Sequence, residues 1–267
     1  MHYLSSCATG RITRLLVADV SGHGETVAST ARSLRDLMRR FINFADQTRL
    51  IAGMNRAFSE RDHGGRFATA IVATYWAPTR ELVVCNAGHP RPMIYRAKRQ
   101  AWAVLAPEPG QGDEGGASDI PLGIDADGSY TQFGVRLDRG DIVMLYTDAL
   151  IEARSQSGEM LTERGLIEIL NDLGGLSTVE LKERLLESIG KFRGHGSSDD
   201  DTTVLLLTPN DAVPRAGFGL GLLASARIVG ATLSSVFRGA GAMPLPQLRS
   251  DVIGGALVES MNRRRMR

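Results

Sequence analysis

The sequence predicts an α+β protein: largely antiparallel sheets with helices packed outside them. Three observations carry that expectation. Strand-like runs follow one another over 67–105 and again over 130–147. Helical periodicity comes in pairs, at 25–61 and at 161–192. The two kinds of segment do not alternate singly, as a chain of βαβ units would.

Ile12 to Val20 is rich in branched apolar residues and ends at Ser21-Gly22-His23-Gly24, the pattern of a buried strand running into a tight turn. Over 25–45 Val27, Ala31, Leu34, Met38 and Phe41 recur every three or four positions and arginines fill much of the remainder, so a helix follows. A second helical pattern covers 48–61 through Leu50, Ile51, Met54, Ala57 and Phe58. Residues 67–76 and 81–86, joined by a turn containing Pro78, form a β-hairpin. Gly88-His89-Pro90-Arg91-Pro92 reads as a loop in which His89 orders the chain, and short strands follow at 93–96 and 101–105. Gly, Pro and acidic residues dominate 106–119, the composition of an exposed excursion. Strands at 130–137 and 141–147 flank the turn signal Asp138-Arg139-Gly140; helices at 161–173 and 178–192 and a last strand at 202–208 complete the order. Cys85, inside an apolar strand, reads as a small core residue.

Composition narrows the class of function. The 267 residues carry 31 Lys and Arg against 30 Asp and Glu, a net charge of +1, which argues against a nucleic-acid binder held by overall positive charge. Two cysteines cannot build a disulfide framework or a four-cysteine zinc site, and no signal peptide pattern opens the chain, so a cytoplasmic location is expected. The near-neutral total conceals an asymmetry. Residues 211–267 hold eight Arg against three acids, a net of +5, whereas the preceding 210 residues hold 23 basic and 27 acidic side chains, a net of −4. Two regions are therefore expected: 1–210, and a basic Gly/Ala-rich tail over 211–267 of unknown role. Within the tail, 218–237 has the length of a membrane span, but Arg227 at its middle opposes insertion by about 2.5–3.5 kcal/mol, and a surface helix or docking element fits better.

Asp19, Asp148 and the run Asp199-Asp200-Asp201 each abut the end of an apolar strand. Desolvating an unpaired carboxylate is costly, and a hard divalent cation with oxygen ligands is one partner that offsets it. Asp19, Asp148 and Asp200 could converge on such an ion if their strands lie side by side; the competing reading is local hydrogen bonding in turns, for which Asp is common.

Their order along the chain is more specific. Ala18-Asp19-Val20-Ser21-Gly22-His23-Gly24, Phe67-Ala68-Thr69-Ala70, Asn86-Ala87-Gly88-His89-Pro90, Pro121-Leu122-Gly123, Gly140-Asp141 with Tyr146-Thr147-Asp148, and Asp200-Asp201-Thr202-Thr203 resemble the SpoIIE/RsbU-type members of the metal-dependent, type 2C-like (PPM) serine/threonine protein phosphatases. The resemblance covers about residues 10–208. It implies a four-layer α-β-β-α sandwich of two antiparallel sheets, with two Mn²⁺ or Mg²⁺ ions at one edge. It further implies Asp19 as the metal-bridging carboxylate, a backbone carbonyl ligand at Val20, and Asp148 and Asp200 as further ligands; Asp19, Asp148 and Asp200 are thus the catalytic set. The implied reaction is in-line attack on phosphorus by a metal-bridging hydroxide. The implied substrate is phosphoserine or phosphothreonine on an anti-sigma-factor antagonist, with no nucleic acid and no membrane as partner, and a homodimer allowed. A non-catalytic module that keeps the phosphatase fold and docks a signalling partner is the alternative.

Three features depart from the family pattern. His23 stands four residues after Asp19, where type 2C relatives place a histidine two residues on, so a turn residue fixing the helix start is the preferred reading. Ala149 stands where a glycine usually follows Thr147-Asp148; this is mild unless that backbone requires positive φ. The Gly-Gly-Asp segment expected about twenty residues before the bridging aspartate is absent, as are the first strand and the N-terminal helix; the preferred reading is a start upstream of Met1, the alternative a truncated chain with a weakened metal site, and the expectation of activity is weaker for the chain as given than for its family.

Overall fold

The computed structural model describes residues 1–6, 11–22, 25–42, 44, 46–60, 65–107, 119–193 and 201–210. The expectations for His23, for most of the 106–119 excursion, for Asp199 and Asp200, and for the tail over 211–267 lie outside those residues.

Two antiparallel sheets form the centre. One contains β1 (His2–Ser6), β2 (Ile12–Val20), β3 (Ala68–Trp76), β4 (Glu81–Ala87) and β7 (Gln132–Arg136), in the order β1-β2-β3-β4-β7. The other contains β5 (Met93–Arg96), β6 (Ala101–Val104), β8 (Ile142–Tyr146) and β9 (Val204–Leu207), in the order β6-β5-β8-β9. Helices α1 (Glu25–Phe41) and α2 (Gln47–Ser59) cover the first sheet, and α3 (Thr162–Leu173) and α4 (Thr178–Arg193) cover the second. This is the α-β-β-α sandwich expected from the sequence.

The period of two in β2 assigns its side chains to layers. Leu16, Ala18 and Val20 pack with Leu34, Met38, Leu50, Met54 and Phe58 of the helices. Leu15 and Val17 point the other way, into the core between the sheets, where they join Ile71, Val84, Ile94, Val143 and Leu145. Asp19 continues that inward row, so the carboxylate sits where the apolar filling between the sheets ends. Strand β3 repeats the pattern: Ile71 and Ala73 face the inter-sheet core and Thr69, next in the same row, pairs directly with Asp19 across the ladder.

The expected hairpin β3–β4 forms, with Trp76 opposite Glu81. Cys85 is fully buried against the helix layer, and burial raises its thiol pKa well above the ordinary value, which leaves it inert. Helix α1 ends at Phe41, four residues before the end the periodicity predicts. The reason lies in the next helix. Asp46 adopts an extended conformation as the N-cap of α2, its Oδ1 accepting from the backbone N–H of Thr48 at 2.9 Å and of Arg49 at 3.4 Å, so the chain leaves the first helix early enough to reach that cap. Among the described residues, no helix is long and apolar enough to cross a membrane.

Candidate functional site

Strand β8 carries the second acidic position. After Tyr146 the chain does not continue as a strand into Thr147-Asp148; it tightens into a single 3-10 turn over Asp148–Leu150. Ala149 is buried in that turn, and its φ is not positive, so the methyl that replaces the usual glycine hydrogen is accommodated without strain. Asp148 is half-buried, with Oδ1 shielded from solvent.

Thr147 straps the start of β9 to this turn. Its N–H donates to the Thr203 carbonyl at 3.1 Å, its hydroxyl donates to the Asp201 carbonyl at 3.3 Å, and the Thr203 N–H donates back to the hydroxyl at 2.9 Å. Asp201, the neighbour of Asp200 in sequence, is thereby held beside the segment that bears Asp148.

The expectation that the three acid-bearing strands lie side by side needs correction. Strands β8 and β9 are neighbours in one sheet, whereas β2 lies in the other, so Asp19 approaches from across the sandwich. A chain of contacts shows that Asp19 and Asp148 occupy the same edge. Asp19 pairs with Thr69, the Thr69 hydroxyl lies 3.0 Å from His89 Nδ1, and the Tyr146 carbonyl acts on the His89 ring to favour its protonated form, while Nε2, sealed from solvent, makes no hydrogen bond. Asp148 follows two residues after Tyr146. The His89 ring therefore lies near the ends of both strands at the acidic edge, hydrogen-bonded on the Thr69 side.

The loop that carries His89 is built to hold it. The Asn86 amide accepts from the His89 N–H and donates to the His89 carbonyl, both at 2.8 Å. Gly88 has φ +72°, and a Cβ there would lie 2.5 Å from the Pro121 ring, so conformation and space both require glycine. Burial pulls the His89 pKa down to about 4, which keeps the ring neutral near pH 7. Further along the loop, Arg91 grips Glu163 of α3 through Nε at 3.2 Å and Nη2 at 2.5 Å, which ties the same loop to the outer helix layer.

On the β2 side, Asp19 Oδ1 accepts from the Val20 N–H at 3.0 Å, which fixes the carboxylate at the strand end. Ser21 clamps the entry to β3, its N–H donating to the Phe67 carbonyl at 3.0 Å and its Oγ accepting from the Phe67 N–H at 3.1 Å. Gly22 then turns the chain at φ +101°, the backbone role expected for it.

Asp141, quoted with Gly140 among the motifs, has a different part. Its side chain is buried and accepts from the N–H groups of Ala97 and Asp138, both at 3.0 Å, and from Arg96 at 2.9 Å, so it braces the β7–β8 turn. Asn55, which no sequence pattern singled out, is a second brace. From inside α2 its amide accepts from the Gly123 N–H at 2.9 Å and donates to the Asp125 carbonyl at 2.6 Å, fixing the Pro121-Leu122-Gly123 segment. A buried Asn facing a Gly-containing turn is the only clue a sequence offers, and it is a weak one.

Among the described residues, no three His, Cys, Asp or Glu side chains gather as a metal cluster, and Asp200, the third expected carboxylate, lies outside them. The described donors at the edge, Asp19 and Asp148, are oxygen donors only, which suits a hard cation such as Mg²⁺ or Mn²⁺. The Cys85 thiol faces the helix layer away from this edge.

An antiparallel sandwich between two helix pairs, with carboxylates from both sheets at one edge, defines the architectural class of the PP2C phosphatase domains. The SiaA PP2C domain of Pseudomonas aeruginosa superposes with a TM-score of 0.65 over 79% of this chain and 79% of that chain at 16% identity. RsbX, solved in complex with magnesium, superposes with a TM-score of 0.52 over 77% of this chain and 84% of that chain at 18% identity. Residues 9–210 match the family model for stage II sporulation protein E (SpoIIE), and the chain belongs to the SpoIIE family. Phosphoserine phosphatase RsbU of Bacillus subtilis (strain 168) is 23% identical over 193 residues, 72% of this chain; the chain spans about half (54%) of that relative's length.

Proposed function

We propose that the chain is a metal-dependent serine/threonine protein phosphatase of bacterial signalling, which removes phosphate from phosphoserine or phosphothreonine on an anti-sigma-factor antagonist in the cytoplasm. One observation carries the reading: Asp19 and Asp148 come from opposite sheets to one edge of the sandwich, with the Thr69–His89 hydrogen bond between them. Membership of the SpoIIE family and the relative RsbU support the phosphatase activity and the regulatory setting. The catalytic unit is residues 1–210, and the basic tail over 211–267 stands apart from it; the family match to 9–210 supports that boundary.

Asp19, the Val20 carbonyl, Asp148 and Asp200 would hold two Mn²⁺ or Mg²⁺ ions, and the magnesium in RsbX supports this choice of metal. Such ions, when bound, acidify the attacking water and neutralise the phosphoryl oxygens. The protein's own part is to position. Strand β2 delivers Asp19 at the end of a rigid inward row, the Val20 N–H holds one of its oxygens, and the 3-10 turn aims Asp148 from the facing sheet. Thr147 keeps Asp201 and Thr203 against that turn.

The test is hydrolysis of p-nitrophenyl phosphate and of a phosphoserine protein substrate with and without Mn²⁺. Activity is expected to require Mn²⁺, to vanish with chelator, and to be lost in Asp19→Asn and in Asp200→Asn. Full activity in either variant refutes the assignment.

A further inference from the structure

We infer that Arg193 is a positioning residue: from the end of α4 its guanidinium holds the 3-10 turn that presents Asp148, and so sets where that carboxylate meets the metal site. The inference rests on the metal-site reading above and adds a residue that neither the sequence motifs nor that reading includes.

A single 3-10 turn is a weak frame for a metal ligand. Its hydrogen bonds are poorly aligned, and the carbonyls at its end have no following helical turn to supply donors. Around Asp148–Leu150 the chain meets part of that need locally: the Thr147 carbonyl accepts from the Leu150 N–H at 3.2 Å, and the Asp148 carbonyl from the Glu152 N–H at 2.9 Å. The Ala149 carbonyl takes a donor from a distant element. Arg193 Nη2 donates to it at 2.7 Å, and a hydrogen bond from a cation is among the stronger kinds. The bonded carbonyl belongs to the residue directly after Asp148, so the turn cannot shift without breaking this bond or dragging the end of α4.

Helix α4 gives Arg193 a firm footing. Leu181, Leu185 and Ile189 of the helix are buried in the same apolar cluster as Leu150 of the turn, and Phe192, beside Arg193, packs against that cluster. Such packing fixes the depth of the turn but has little directional preference; the bond to Arg193 supplies the direction. On the other flank Thr147 is tied to Asp201 and Thr203. Asp148 is thus gripped from both sides, through the residue before it by the start of β9 and through the residue after it by the end of α4.

Charge gives the inference a sharp sign. If Arg193 acted on a bound cation only by Coulomb repulsion, its removal would strengthen metal binding. If it supports a ligand, its removal weakens binding.

The test is calorimetric titration of the full-length chain with Mn²⁺ near neutral pH, on variants whose folding is verified by urea unfolding in chelator. Arg193→Met keeps the apolar stem and deletes the donors and the charge; Mn²⁺ binding is expected to weaken about tenfold, the low end of the range for partners around metal ligands. Arg193→Lys keeps the charge and a donor on a stem of similar reach, and is expected to recover most of that loss. Arg184→Met removes a charge from an exposed position on the same helix and is expected to bind as wild type does. Unchanged or tighter Mn²⁺ binding in folded Arg193→Met overturns the inference, as does Arg193→Lys binding as weakly as Arg193→Met, or Arg184→Met losing as much affinity as Arg193→Met. Should Arg193→Met not fold, Arg193→Gln, polar but too short to reach the Ala149 carbonyl, takes its place under the same criteria. Asp148→Asn separates the two levels of the argument. Loss of binding in Asp148→Asn with wild-type binding in Arg193→Met leaves the metal site standing and removes only the role of Arg193; unchanged binding in Asp148→Asn overturns both.

Discussion

Acid should destabilise this protein through one buried ring, and the size of the effect follows from the structure. Burial lowers the pKa of His89 from its ordinary 6.5 to about 4; the Met1 ammonium adds to the lowering and the Tyr146 carbonyl opposes it. Between those two values the unfolded chain binds a proton at this position and the folded protein does not, so proton uptake favours unfolding. Stability contributed by the neutral ring is complete above pH 6.5, declines as pH falls, and levels off below about 4, where the folded ring is also protonated. Each tenfold difference in proton affinity is worth about 1.4 kcal/mol, so the full loss is about 3 kcal/mol, a large part of the roughly 5–15 kcal/mol that holds a domain of this kind together. The assay is urea unfolding in chelator at several pH values from 7.5 to 4.5, followed by fluorescence of the buried Trp76 and Trp102. His89→Gln removes the titrating group, so its stability should fall less steeply than wild type across that window, by about 2.5 kcal/mol in total, whatever its stability at neutral pH. Parallel curves for the two proteins would refute the reasoning.

Asp141→Ala leaves the Arg96 guanidinium and two N–H groups without their shared acceptor in a buried turn, and should cost about 3 kcal/mol in urea unfolding while Asp141→Asn costs less. Gly88→Ala forces a side chain into positive φ and into the Pro121 ring; a loss of about 2–4 kcal/mol by thermal or urea unfolding is expected, well above an ordinary surface substitution. Thr147→Val deprives the Thr203 N–H of its acceptor and should cost about 1–2 kcal/mol in urea unfolding while raising the Mn²⁺ concentration needed for phosphatase activity, and Thr147→Ser should recover both.

Strand β2, the β3–β4 hairpin and both helix pairs are legible in the amino-acid order because each is recorded in a short-range period: two for a strand with one row turned inward, 3.6 for a helix with one apolar stripe. The inward row of β2 even announces its own end, since Leu15 and Val17 are followed at the next inward position by Asp19. Other features escape local reading. The end of α1 at Phe41 answers to a cap on the following helix. The single 3-10 turn over Asp148–Leu150 leaves no mark in a short-range period. Asn55 braces a turn about seventy residues away, and nothing in its own neighbourhood records that partner.

The candidate site shows the same division. Asp19 and Asp148 stand out in the sequence because a charge at the end of an apolar strand is costly and because they fall in order within the family's motifs. That they approach from opposite sheets, and that the Thr69–His89 hydrogen bond lies beside Asp19, is a matter of which strands pair and which faces pack. Local chemistry sets the kind and order of elements, because propensity and period act over a few residues. Sheet partnership and the meeting of distant side chains come from burying apolar faces collectively, and that selection is made by the whole core at once.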